Sequence, residues 1–260
     1  MKAWLVALAL ALTAVPAAAQ GFDHSHAAWT ALLQRHVVLL DGARASRVRY
    51  AGLAADRAAL DAYLSSLAAV TAPQFERWPR AERLAFLINA YNAQVVQKVL
   101  TRYPDLRSVW DFGRFFGNPF KDAFFTLLGR RTSLDDIEQG MLRTPGAYDE
   151  PRVHFALNCA SVGCPMLREE AYIAARLDSQ LEDQARRFLS DRSRNRYDAA
   201  SGRLEVSKIF DWYEVDWPRD YFARHAALLA DDAAARARIA AGEFKLDYLD
   251  YDWTLNDAKR

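Results

Sequence analysis

Pro79 stands just ahead of the segment RAERLAFLINAYNAQVVQKVL, which constrains the fold more than any other stretch. Leu84, Leu87, Ile88, Tyr91, Val95 and Val99 recur at helical spacing and make one apolar stripe. Phe86, Ala90 and Ala93 widen the stripe past a single face. A helix that is apolar on more than one side must be wrapped by other elements. Asn89 and Asn92 sit inside it, three residues apart and on neighbouring faces. Asn is a poor helix former, and a buried amide costs free energy unless its hydrogen bonds are made. Two roles fit such a pair: a polar clamp on a neighbouring loop, or amides facing a site. The clamp is favoured.

The wrapping layer is legible on both sides. HAAWTALLQRHVVLL places Trp29, Leu32, Leu33, His36 and Leu40 at helical spacing, and Asp41-Gly42 ends that helix. A second helix is predicted from about Ala54 to Ala69, stopped by Thr71-Ala72-Pro73. Residues 102–128 are aromatic and irregular, punctuated by Gly113, Gly117 and Asn118-Pro119, and suit one wall of a cleft. Ser133 with Asp136 makes a capping-box variant that opens a helix at Leu134. Glu138 borders the apolar face of Leu134, Ile137 and Met141, so its carboxylate needs a partner or a polar pocket.

RVHFAL reads as a short strand. EEAYIAARLDSQLEDQARRFLSD reads as a helix with two acids in its first turn, where the macrodipole favours them. RYDAASGRLEVS reads as a hairpin around Ser201-Gly202, and KIFDWYEVDW as a short aromatic helix. Two helices follow, up to Gly242. FKLDYLDYDWTLN reads as a closing strand with a bulge near Tyr248-Leu249, where its alternation changes phase. Helices with a few scattered strands predict an α+β fold: one mostly helical domain over residues 20–260 with a small antiparallel sheet.

The chain opens MKAWLVALALALTAVPAAAQ. A positive Lys2, an apolar run shorter than the ~20 residues a membrane span needs, and a small-residue junction predict a signal peptide over residues 1–19. No cysteine follows that junction, so no lipid anchor is expected there, and no membrane contact after cleavage. The mature protein is expected in the periplasm or outside the cell. Lys+Arg number 34 and Asp+Glu 33, and loss of Lys2 evens them. A chain so balanced has no field to attract nucleic acid or an anionic membrane.

Both cysteines lie in HFALNCASVGCP, His154 to Pro165. A zinc site needs about four ligands, and only His154 is near Cys159 and Cys164. Neither a metal nor another cofactor is expected. A thioredoxin-like centre would show Cys-x-x-Cys, whereas four residues intervene here. Two readings stay open. One is a disulfide between Cys159 and Cys164, favoured by an oxidising compartment and gaining ~2 kcal/mol for so small a loop. The other is a nucleophilic Cys159 with His154 as general base and Glu138, or an Asn of the central helix, orienting the imidazole. In an extended segment, His154 and Asn158 share one face, and Cys159 reaches it only if the chain turns.

In this order, FLINAYNAQV, SLDDIEQGMLR, HFALNCASVGCP and VSKIFDWYEVDW resemble the signature segments of the DUF547 family, a domain of unknown function. The resemblance implies a shared fold and assigns no activity. It implicates Asn89, Asn92, Glu138, His154, Cys159 and Cys164. Where the family often has His after the motif glutamate, this chain has Gln139. The expected function is a thiol-dependent hydrolase or acyltransferase using Cys159, His154 and Glu138. Asn89, Asn92 and Asn158 are expected to contact a small-molecule or peptide ligand. The alternative is a non-catalytic binding or scaffold domain stapled by Cys159–Cys164.

Overall fold

The computed structural model describes residues 21–113 and 117–259. The expected signal peptide, residues 1–19, lies outside the described residues. The chain runs α1 (Ala27–His36), β1 (Val37–Leu40), β2 (Ala45–Val48), α2 (Tyr50–Ala55), α3 (Arg57–Ala68), α4 (Ala72–Glu76) and α5 (Arg80–Leu100). Then come β3 (Phe125–Leu127), β4 (Arg130–Thr132), α6 (Leu134–Ile137), α7 (Val153–Ala156) and α8 (Leu177–Leu189). The C-terminal part holds β5 (Arg196–Asp198), β6 (Arg203–Val206), α9 (Ile209–Trp212), α10 (Tyr221–Arg224), α11 (Ala226–Leu229), α12 (Ala233–Ala240) and β7 (Lys245–Tyr248). The fold is mixed α+β and mostly helical.

The long central helix α5 is buried almost without interruption from Leu84 to Val96, and α2, α3 and α6 pack against it. This is the wrapping that its many-sided apolar surface demands. Two apolar clusters form. The larger surrounds α5, and the smaller joins α8 to β6 and α9–α12. The short α7 sits between them, with Val153 and Ala156 in the first and Phe155 in the second. His154 therefore stands at the seam of the two clusters.

Among the described residues the strands form three small sheets, not one. β1–β2 and β3–β4 are antiparallel hairpins. β5 pairs antiparallel with β6 through the expected turn at Ser201-Gly202, but β7 lies parallel to β6. Four helices, α9 to α12, separate β6 from β7, and a crossover of that length permits parallel pairing.

Other expectations are corrected. The first helix stops at His36, because Val37-Val38 takes β structure and Asp41, Gly42 and Ala43 turn the chain in the left-handed region. RVHFAL is helical: His154 N–H bonds the Pro151 carbonyl and Leu157 N–H the Val153 carbonyl. A short apolar run does not separate strand from helix by periodicity. Glu169 and Glu170 precede α8 and pair with Arg187, Arg168 and Arg176 instead of capping the helix. β7 ends at Tyr248, and beyond it the described residues make only isolated bridges, at Thr254, Leu255 and Asp257. No helix among the described residues is long and apolar enough to cross a membrane.

Candidate active-site cleft

Asn158 shapes the cysteine loop. Its amide nitrogen donates to the Pro165 carbonyl at 2.7 Å, and its oxygen accepts the Ala160 N–H at 3.0 Å. Ala160 sits at φ 63°, in the left-handed region, so the chain turns sharply after Cys159. The C-terminal segment runs alongside: Thr254 O accepts Val162 N–H and Asp252 O accepts Gly163 N–H, each at 2.8 Å. That pairing carries Tyr251 and Trp253 to the loop.

Cys159 and Cys164 form a disulfide. Disulfide sulfurs carry no proton, so the nearby hydroxyls donate. Ser161 Oγ lies 3.1 Å from Cys159 Sγ, and Tyr251 Oη lies 3.3 Å from Cys164 Sγ and 3.4 Å from Cys159 Sγ. The bond forms part of the wall of a cleft of about 360 Å³. Glu138 and His154 line the same cleft, with Trp110, Trp212, Tyr213 and Trp253 among its aromatic walls.

His154 is 3% exposed, and its Nε2 lies 2.7 Å from Asp216 Oδ2. Asp216 also accepts two bonds from Arg143, Nε at 2.6 Å and Nη2 at 3.0 Å. Burial pushes the Asp216 carboxyl up, but the bonds from Arg143 and His154 outweigh it and hold the group below the usual carboxylate range. The charged Asp216 selects the Nε2–H tautomer of His154. That leaves Nδ1 as the basic nitrogen, with no hydrogen-bond partner among the described residues. Desolvation holds His154 down at about 4 despite Asp216, so the ring is neutral near pH 7. It stacks on Tyr213 at 3.9 Å between centroids.

Glu138 does not orient the histidine. It opens a single π turn, Glu138–Leu142, directly after α6. Its carboxyl accepts the Tyr213 hydroxyl, and Tyr91 bonds it as well. Burial pushes the Glu138 carboxyl up, against the effect of those two hydroxyls. The orienting place belongs to Asp216, which the sequence reading did not select. Asp216 lies within KIFDWYEVDW, so the segment was noticed while the residue was not.

The three amides expected to contact ligand do other work. Asn89 exchanges two hydrogen bonds with the Tyr172 backbone, 2.7 and 3.0 Å. Asn92 donates to Ala156 O at 2.9 Å and accepts Asn158 N–H at 2.8 Å. Asn89, Asn92 and Asn158 are all buried, and none lines the cleft. Each amide uses both its ends on the protein, which leaves neither free for a ligand. Asn92 in effect fixes both ends of the short strip that carries α7 into the cysteine loop. Gln139 lines the cleft and accepts a bond from Arg143 Nη1. No group of three or more His, Cys, Asp or Glu among the described residues is placed to hold a metal ion.

Residues 75–189 match the model of a family described as protein of unknown function, DUF547. No curated protein and no solved structure matches the chain. The matched segment carries Glu138, His154 and both cysteines. Tyr213, Tyr251 and Trp253, which line the cleft, and Asp216, which holds His154, lie beyond it.

Proposed function

From a chain whose residues 75–189 are a DUF547 segment, with no activity attached to that family's description, we infer function from the cleft: thiol-dependent acyl transfer or hydrolysis. The observation that carries the reading is shared placement. His154, held by Asp216, and Cys159 line one aromatic cleft. Cys159 is the more accessible sulfur, since Cys164 is buried.

The oxidised protein cannot attack. A dithiol reductant must first reduce the Cys159–Cys164 bond, giving its two sulfurs two electrons and two protons and becoming a disulfide itself. The Cys159 proton then passes to Nδ1 of His154, and the Ser161 and Tyr251 hydroxyls donate to the thiolate. The sulfur attacks a carbonyl carbon, forming a thioester as the bond to the leaving amine or alcohol breaks. The imidazolium returns its proton to that leaving group. Water, deprotonated by the same imidazole, releases the acid and restores the thiol.

Asp216 orients the ring and stabilises its charged form. A closed disulfide favours a second reading, a stapled domain that binds ligand in the cleft without reacting. An exported location belongs to both readings, and a disulfide is expected in such a compartment.

The test is alkylation of the dithiol-reduced protein with iodoacetamide, followed by mass spectrometry. Under the first reading Cys159 is modified near neutral pH ahead of Cys164, and His154→Ala slows that reaction. Equal rates at the two sulfurs, indifferent to His154, would leave the binding domain as the better account.

A further inference from the structure

We infer that the cleft takes a ligand bearing an organic cation, an alkylated ammonium or a guanidinium, at the end that enters between its indole rings. This rests on reading the cleft as the ligand site and adds the charge of the occupant.

The first observation is the rim. Trp110 and Trp212 flank Trp253, with ring centroids 5.2 and 5.6 Å from it, the second pair stacked at 24°. Tyr251 lies 4.7 Å from Trp212. Trp110 is 39% exposed and Trp212 45%, large apolar groups left open to water. Indole faces carry negative potential and attract a cation within about 6 Å of the ring centre.

The second observation is the charge of the lining. Asp135 and Glu138 both stand in it, and among the described residues no Lys or Arg does. The Asp135 carboxylate makes no hydrogen bond or ion pair among the described residues, so it is free to face a positive group.

The third comes from Tyr213, another lining ring. The Arg143 guanidinium already lies 4.8 Å from its centroid, and Asp216 neutralises that charge. The protein itself thus sets a cation against one ring of this wall. An aromatic lining with carboxylates, a neutral histidine and no Lys or Arg suits a cation better than an anion or a neutral apolar body.

The test uses the disulfide-closed protein, so that its outcome is independent of thiol chemistry, which alkylation of reduced protein judges separately. Tryptophan fluorescence and calorimetry would compare choline with its neutral isostere 3,3-dimethylbutan-1-ol. A second pair is N-acetyl-lysine methylamide against N-acetyl-norleucine methylamide. The expected result is a preference of about tenfold for the cation in at least one pair. That preference falls severalfold in Trp212→Leu and in Asp135→Asn, two positions that are not fully buried and whose variants are checked for native circular dichroism. The pair that responds tells a small quaternary ammonium from a peptide side chain. Equal affinity within both pairs, or no saturable binding of either cation in the millimolar range, overturns the inference.

Discussion

Nε2 of His154 lies 2.7 Å from Oδ2 of Asp216, a residue 62 positions further along the chain. This contact joins the two apolar clusters at their seam. It also decides which nitrogen of the ring is basic. Arg143, bonded to both oxygens of Asp216, fixes the carboxylate in turn. The order Arg143–Asp216–His154 leaves Nδ1 without a partner among the described residues, at the open end of the relay.

Asp216→Ala should therefore act on both stability and reactivity. It strips His154 and Arg143 of their acceptor, at a cost of roughly 1–3 kcal/mol in urea unfolding. In reduced protein it should also slow Cys159 alkylation. Glu138→Gln should do neither to the same degree, since an amide oxygen can still accept from Tyr213. If Glu138→Gln slowed alkylation as much as Asp216→Ala, the orienting role would return to Glu138.

Asn92→Leu tests the clamp. Leu is the better helix former, so propensity alone predicts a gain. The structure predicts a loss of roughly 1–3 kcal/mol, because Asn158 N–H and Ala156 O are left unpaired in the interior. An unchanged melting temperature would contradict that account. Asn89→Leu should lose a similar amount through Tyr172.

The parts legible in the sequence were those written in local pattern. The central helix, the capping box at Ser133 and the hairpin at Ser201-Gly202 each rest on neighbouring residues, and each formed where expected. The Asn pair announced itself as polar within an apolar helix, although its partners did not. Pairings across long sequence separation were not legible. Asp216 finds His154 across 62 residues, and Tyr251 reaches Cys164 across 87. RVHFAL failed for a different reason: six residues are too few for a period of 2 and a period of 3.6 to diverge. The site was thus half visible, its segment identified and its orienting acid not.

Acid should weaken the fold through two histidines. Burial holds both His26 and His154 down at about 4, against an ordinary 6.5. Because the folded values are depressed, the unfolded chain binds the extra protons. The stabilising contribution is full above about pH 6.5 and is lost as pH falls toward about 4. Each histidine contributes at most about 3 kcal/mol over that window. Glu138 acts oppositely, since its raised value favours the fold at low pH and is lost as pH rises through it. Unfolding free energies measured across the window should decline toward acid, and less steeply in His154→Gln. An identical slope in that variant would mean that His154 titrates normally in the folded protein.

Cys164→Ser separates the staple from the thiol. A loop this small gains only ~2 kcal/mol from closure by the chain-entropy model, so its loss should cost about that much. The buried serine hydroxyl should add little, because the Cys159 N–H, 2.8 Å from the present sulfur, and the Tyr251 hydroxyl offer it partners. Cys159 then stands as a free thiol without any reductant, beside the Ser161 hydroxyl and in the cleft that holds His154. Iodoacetamide should modify it near neutral pH, since hydroxyl donors and a base lining the same cleft favour the thiolate. Urea unfolding and mass spectrometry on this one variant read the two quantities independently. A fold that survives with a reactive Cys159 supports the enzyme. A surviving fold whose Cys159 reacts no faster than an ordinary thiol leaves the cleft as a binding site, and a loss well beyond ~4 kcal/mol would mean that the bond holds the loop together.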